Sequence, residues 1–171
     1  VNWNKLMQVE SFPPIADAGA TRLILGSMPG VASLTAQRYY AHPQNAFWRI
    51  MGELLGFAAD ADYDERVMML TRAKIAVWDV LATCERPGSL DSAIKRDSEV
   101  ANNIPALLAT HTQIRQILFN GGAAEATFRR HHAAVLKRAD LSFVRLPSTS
   151  PAHASLSYSQ KCAVWRAALM E

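Results

Sequence analysis

Arg22-Leu23-Ile24-Leu25-Gly26-Ser27-Met28-Pro29-Gly30, continued through Tyr39-Tyr40 to His42-Pro43-Gln44-Asn45-Ala46-Phe47-Trp48, decides how the chain is read. Arg22 to Leu25 reads as a short apolar strand, Gly26 to Gly30 as a glycine-proline turn, and the segment up to Tyr40 as a polar loop. His42 to Trp48 then opens a helix, with Asn45 near its N-terminus. Backbone amides at such a turn, with an amide side chain and aromatic rings nearby, suit a flat polar ring held by its edge and its face at once. The active site is expected here.

Working outward, Phe47, Ile50, Met51, Leu54 and Leu55 recur at helical spacing up to Gly56, a plausible C-cap. A second helical pattern covers Asp64 to Ala73. Lys74 to Leu81 reads as a strand carrying Ile75-Ala76-Val77-Trp78 and ending at the carboxylate of Asp79. Cys84 to Arg96 is expected to be a loop, followed by a helix from about Ala101 to Thr110. Ile114 to Phe119 forms the next strand, turned by Asn120-Gly121-Gly122 into a helix through His131. Leu141 to Leu146 is the last strand, and it runs into Pro147-Ser148-Thr149-Ser150-Pro151-Ala152-His153-Ala154 before a final helix over Ser157 to Leu169.

Helices alternate with strands throughout, so the expected fold is α/β, a four-stranded parallel sheet with helices on both faces. Ligands of such sheets sit beyond the carboxyl ends of the strands. The Gly26 turn, Asp79, Asn120 and the Pro147 to Ala154 loop should therefore converge on one crevice. Residues 1–20, which include Phe12-Pro13-Pro14, read as an arm or short helix laid on a single domain of 171 residues.

Half the residues are apolar and 19% are charged, enough for a real core in one domain. No apolar run approaches the ~20 residues of a bilayer span and no signal peptide is apparent, so a cytoplasmic location is expected; a monomer is expected as well. The net charge is a modest +3, but ten of the fifteen carboxylates lie between Glu53 and Glu99. The acid-free stretches hold Arg22, Arg38, Arg49, Arg145, Lys161 and Arg166, and a basic side able to meet a polyanion is expected.

Several chemistries are excluded. Met28 stands where a dinucleotide fingerprint needs its second glycine, and no phosphate-loop or Gly-x-Ser-x-Gly sequence occurs. Ser148, Ser150 and His153 share one short loop that presents neither serine as a nucleophile. Cys84 and Cys162 lie in no metal-type spacing, and His131-His132 point in different directions on a helix. Neither a metal, an iron-sulfur cluster nor any other cofactor is expected.

Taken together, Gly26-Ser27-Met28-Pro29-Gly30, Tyr40-Ala41-His42-Pro43-Gln44-Asn45-Ala46-Phe47-Trp48, Trp78-Asp79-Val80-Leu81 with Ser89-Leu90-Asp91, Phe119-Asn120-Gly121 and Leu146 to Ala154 resemble the uracil-DNA glycosylase superfamily. Within it they are most similar to the hypoxanthine-DNA (deoxyinosine) glycosylase branch. The five motifs fall in order at strand ends and cover nearly the whole chain from Arg22 onward. The resemblance implies a three-layer α/β/α sandwich and a monofunctional hydrolase of base excision repair. Such an enzyme binds DNA containing deaminated bases, flips the base out and cleaves its N-glycosidic bond. Preference for uracil or xanthine, or a lesion-binding module with weak catalysis, are the alternatives.

The resemblance also distributes roles. Asn45 is the residue assigned to catalysis in the branch, and it also suits a helix N-cap. Met28 departs from the Asp or Asn that holds the attacking water in other branches, and Leu146 from a His or Asn, so Asn45 is expected to supply the missing polar group. The ring of Tyr40 is expected to stack on the flipped base, with Phe47 and Trp48 packing the helix and one of them, Phe47 foremost, lining the pocket wall. Asp79 is expected to accept the ring N–H of hypoxanthine or uracil, while backbone N–H groups of Ser27, Met28 and Gly30, or the Asn120 side chain, donate to the adjacent carbonyl, with Gly26 and Pro29, which has no N–H, shaping the same base-binding turn. Ser148, Thr149, Ser150, Pro151, Ala152 and His153 match the superfamily loop that pinches phosphates and pushes a wedge into the vacated stack.

Overall fold

In the computed structural model, which describes residues 7–171, the strands β2 (Arg22–Gly26), β3 (Ile75–Asp79), β6 (Gln116–Asn120) and β7 (Ser142–Leu146) form a parallel sheet in the order β3-β2-β6-β7. Pairings run in register from Arg22 with Ile75 to Gly26 with Asp79, and from Gln116 with Ser142 to Asn120 with Leu146. Gly26, Asp79, Asn120 and Leu146 consequently end at one level of the sheet. The chain leaves β2 for β3 on one side and returns to β6 on the other, so β2 borders the switch point at which ligands of open sheets bind.

The apolar runs are buried on both faces, as a parallel sheet requires. Leu23, Leu25, Ile117 and Phe119 point to one face, where they pack with α4 (Ile104–Thr110) and α5 (Gly122–His131) through Leu107, Leu108 and Phe128. Ile24, Val77 and Leu118 point to the other. There they meet α2 (Phe47–Leu55), α3 (Tyr63–Arg72) and α6 (Tyr158–Met170) through Ile50, Met51, Leu70 and Trp165. The chain is thus a three-layer α/β/α sandwich. Ser157 caps α6 in a reciprocal box with Gln160.

The strand read over Lys74 to Leu81 ends at the Asp79 carboxylate, as expected: Val80 N–H bonds to Gly26 O and Leu81 N–H to Ser27 O, turning the chain out of the sheet. Three local expectations are corrected. Leu81–Glu85 then forms β4 rather than a loop start, and it pairs antiparallel with β1 (Gln8–Glu10) and β5 (Val100–Ala101) in a second, three-stranded sheet. The arm is therefore a strand over Gln8–Glu10; residues 1–6 lie outside the described residues. Finally, Val31–Ala36 within the expected polar loop is a helix, α1, whose first N–H is taken by Ser89 Oγ at 2.8 Å.

Among the described residues, no helix is long and apolar enough to cross a membrane. Cys84 and Cys162 are buried free thiols.

Candidate active site

A pocket of about 290 Å³ opens beyond the carboxyl ends of the four parallel strands. Its walls are Gly26 to Gly30 after β2, Asp79 at the end of β3, Asn120 at the end of β6 and Ser148 to Ala152 after β7, with Tyr40 and Asn45 from the loop before α2. A groove of about 920 Å³ runs beside it and shares Tyr40, His42, Asn45, Thr149 and Pro151 with it.

Asp79 is only 4% exposed, and its Oδ2 has no hydrogen-bond partner among the described residues. Burial first, and then the Asp91 carboxylate, push it from 3.8 up to about 7 against the pull of Arg86. Asp91 stands at the exposed rim. Its carboxyl end turns inward to accept Ser27 Oγ–H at 2.5 Å, and desolvation there outweighs Ser27 and Arg86, raising its pKa. The fully buried Arg86 donates from Nη2 to Pro29 O at 2.6 Å and from Nε to Gly88 O at 2.8 Å, which bolts the Gly26 to Gly30 turn to the Pro87-Gly88-Ser89 loop. Sequence reasoning gave Arg86 no part, although an arginine beside Pro-Gly at a strand end was the available signal.

Gly26 makes this floor possible. A Cβ there would stand 2.6 Å from Asp79 Oδ1 and 3.2 Å from the Tyr40 hydroxyl oxygen, so a side chain would collide with both. The Tyr40 hydroxyl is likewise buried without a partner among the described residues. Burial leads the causes that hold its proton far more tightly than usual. Two polar groups left unpaired at the bottom of one pocket are costly unless a ligand satisfies them.

The two tyrosines divide the work. Tyr39 is an anchor, its hydroxyl donating to Pro13 O at 2.8 Å and its carbonyl accepting Trp48 Nε1–H at 2.8 Å. Tyr40 takes a left-handed backbone, φ 53°, a conformation that costs about 1–3 kcal/mol and concentrates at functional sites. Its ring lies on that of Phe47, with centroids 4.0 Å apart and planes inclined by 26°. The expectation that Phe47 lines the pocket is corrected: it is 0% exposed, wedged against Trp48 and Trp165, and backs Tyr40 from below. Met28 borders the pocket but is itself buried, clustering with Leu81 and Cys84 at the second sheet.

Asn45 Oδ1 accepts Phe47 N–H at 3.0 Å, holding the start of α2, while Nδ2 has no partner among the described residues. The amide is pinned on its acceptor side with its donor side available. Asn120 is a latch: Nδ2 donates to Thr149 Oγ1 at 3.0 Å and Oδ1 accepts Thr149 N–H at 2.9 Å, leaving one Nδ2 proton for anything in the pocket. Thr149 O accepts Ala46 N–H at 2.9 Å, so the latch also closes on the start of α2. A Cβ on Gly121, whose φ is 96°, would meet Ser148 Cβ at 2.9 Å.

In the loop itself, Ser148 Oγ accepts Ser150 N–H and Ser150 Oγ accepts Ala152 N–H, both at 3.2 Å, so neither bond consumes a hydroxyl proton. Both hydroxyls can donate to phosphate. Pro151 and Ala152 form an exposed tip, supported by Lys161 Nζ bonding to Ser150 O at 3.2 Å. Burial lowers the Lys161 pKa. His153 lines the groove rather than the pocket.

The expected basic side is narrower than the sequence suggested. Arg145 and Arg166 pair with Glu125 and Glu53, and Arg22 bonds Gln116 at the far end of the strands. Arg38, Arg49, Arg66 and Lys161 line the groove. No cluster of three or more His, Cys, Asp or Glu able to hold a metal occurs among the described residues.

Residues 13–170 match the model of the uracil DNA glycosylase superfamily. Two curated relatives named hypoxanthine DNA glycosylase are similar. That of Methanosarcina barkeri is 39% identical over 67% of this chain and 72% of its own, and that of Methanosarcina acetivorans 38% identical over 66% and 71%. A solution NMR structure from Methanosarcina acetivorans, described as a candidate uracil DNA glycosylase, superposes with a TM-score of 0.77 at 32% identity, covering 96% of this chain and 100% of that one. With a match spanning nearly all of the described residues, the chain belongs to the uracil DNA glycosylase superfamily.

Proposed function

We propose that the chain is a DNA glycosylase that flips a deaminated base, hypoxanthine foremost, into the pocket beneath Gly26 and hydrolyses its N-glycosidic bond. The observation that carries this reading is the buried carboxylate of Asp79 at the pocket floor, whose Oδ2 has no hydrogen-bond partner among the described residues. Hypoxanthine presents a ring N–H beside a carbonyl oxygen, whereas adenine presents a bare ring nitrogen beside an amine. An ionised Asp79 accepts the N–H and repels the lone pair. A volume of about 290 Å³ suits one flat ring system rather than a larger ligand.

Cleavage of the glycosidic bond passes through an oxocarbenium-like sugar, and the difficulty lies in the negative charge building on the departing purine. Asn45 Nδ2, with Oδ1 held by Phe47 N–H, is positioned as a fixed donor toward that charge, and the second lone pair of Oδ1 can orient water. The Tyr40 face, stiffened by Phe47 behind it, serves as the platform on which the base rests. Ser148 and Ser150 contact flanking phosphates, and the Pro151-Ala152 tip enters the gap in the stack.

A second reading, uracil as the preferred base, is favoured by the same Asp79, since uracil offers the same edge. The test is base release from single- and double-stranded oligonucleotides carrying hypoxanthine, uracil, xanthine or an ethenobase, with Asn45→Ala alongside. Release of hypoxanthine ahead of the others, abolished in Asn45→Ala, is expected. Tight lesion binding with no base released from any substrate would overturn the enzyme reading in favour of a binding module.

A further inference from the structure

The groove beside the pocket contains an arginine pair to which the reading above assigns no role. The Arg66 guanidinium lies over the Trp48 ring at 4.8 Å and the Tyr63 ring at 5.5 Å, and the Arg38 guanidinium lies over the same Tyr63 ring at 5.5 Å. Arg66 Nε is buried with no hydrogen-bond partner among the described residues. Neither arginine makes an ion pair among those residues, although Asp60 also lines the groove, whereas Arg129, Arg130, Arg138, Arg145 and Arg166 each hold a carboxylate. Two cations against one aromatic ring repel each other: burial first, and then the charge of Arg38, disfavour the charged form of Arg66. An anion between them removes that penalty.

We infer that Arg38 and Arg66 together hold one phosphodiester of the substrate strand, a subsite outside the base pocket; the inference rests on the proposed glycosylase function. Trp48 and Tyr63 hold the Arg66 guanidinium in place without using its N–H donors, and its terminal N–H groups suit phosphate oxygens. Arg38 precedes Tyr40 by two residues, so the two Cα atoms lie within about 7 Å. With a rise of about 3.4 Å per nucleotide, the phosphate sits on the order of one to three nucleotides from the flipped one.

The experiment is a scan of hypoxanthine-containing oligonucleotides in which each of the nearest phosphates on either side of the lesion is replaced in turn by an uncharged methylphosphonate. Affinity is measured between 50 and 200 mM salt for the wild-type chain, Arg38→Gln, Arg66→Gln and the double variant. Thermal melts are run in parallel because Arg66 supports Trp48. The exposed Arg38→Gln keeps the test decisive if Arg66→Gln unfolds.

One phosphate contact contributes a slope of about −0.9 in log K against log salt, or about 3.5-fold in affinity over that fourfold range. Loss of that increment in the variants is expected. Methylphosphonate substitution at one position, or two adjacent ones, should weaken wild-type binding and leave the double variant unaffected. Equal weakening of wild type and double variant at every position, or an unchanged salt slope, would overturn the subsite while hypoxanthine release by the wild type stood. Absence of both release and salt-dependent binding would overturn the glycosylase reading and the subsite with it.

Discussion

Asp79→Asn replaces a carboxylate, 4% exposed and with no partner for Oδ2 among the described residues, by a neutral group of the same shape. The carboxyl pKa is raised from 3.8 to about 7 on folding, about three units, and at about 1.36 kcal/mol each the ionised form destabilises the native state by up to about 4 kcal/mol. The sign follows from proton counts. Between pH 3.8 and about 7 the folded chain carries a proton that the unfolded chain has lost, so this stability is present in acid and disappears as pH rises through that window. At pH 8 the variant should therefore exceed the wild type by up to about 4 kcal/mol, roughly 8–16 °C in Tm for a chain of this size. At pH 4 the difference should shrink to within about 0.5 kcal/mol. Urea unfolding of both proteins at the two pH values, with m unchanged, measures this directly. The same group predicts that single-turnover release of hypoxanthine falls about tenfold per pH unit below about pH 7 in the wild type, with a flat profile in the variant. An equal stability difference at both pH values, or a variant less stable at pH 8, would refute the picture of an unpaired buried carboxylate.

Asn45→Ala should lower hypoxanthine release by about 10²- to 10³-fold and cost about 1 kcal/mol at the start of α2, whereas Asn45→Asp keeps the bond to Phe47 N–H and the stability yet loses the donor and the activity; release assays and melting curves separate the two effects. Gly26→Ala places a methyl group 2.6 Å from Asp79 Oδ1, and it should abolish release by blocking the pocket floor while lesion-DNA binding through the groove persists in a gel-shift assay. Asn120→Ala strands the Thr149 N–H and hydroxyl, and it should cost about 1–3 kcal/mol in urea unfolding and weaken DNA affinity by loosening the Ser148 to Ala152 loop.

The four parallel strands, the helices packed on both of their faces and the convergence of Gly26, Asp79, Asn120 and the Pro147 to Ala154 loop were legible in the sequence. Apolar runs, helical spacing and turn residues are local quantities set by the backbone within a few residues. The β1-β4-β5 sheet was not legible, because Gln8–Glu10 finds its partner Leu81–Glu85 far along the chain, and α1 is too short and too dependent on Ser89 to announce itself. Within the site, the sequence named Asp79, Tyr40, Asn45 and Asn120. Only the tertiary structure decided that Asp79 lies unpaired against Asp91, that Phe47 sits beneath Tyr40 rather than in the pocket, that Asn120 latches Thr149, and that Arg38 and Arg66 share one ring. Residue identity determines which chemistry a position can offer. Proton affinity, exposure and hydrogen-bond partners depend on atoms brought together from distant parts of the chain, and these exist only once it has folded.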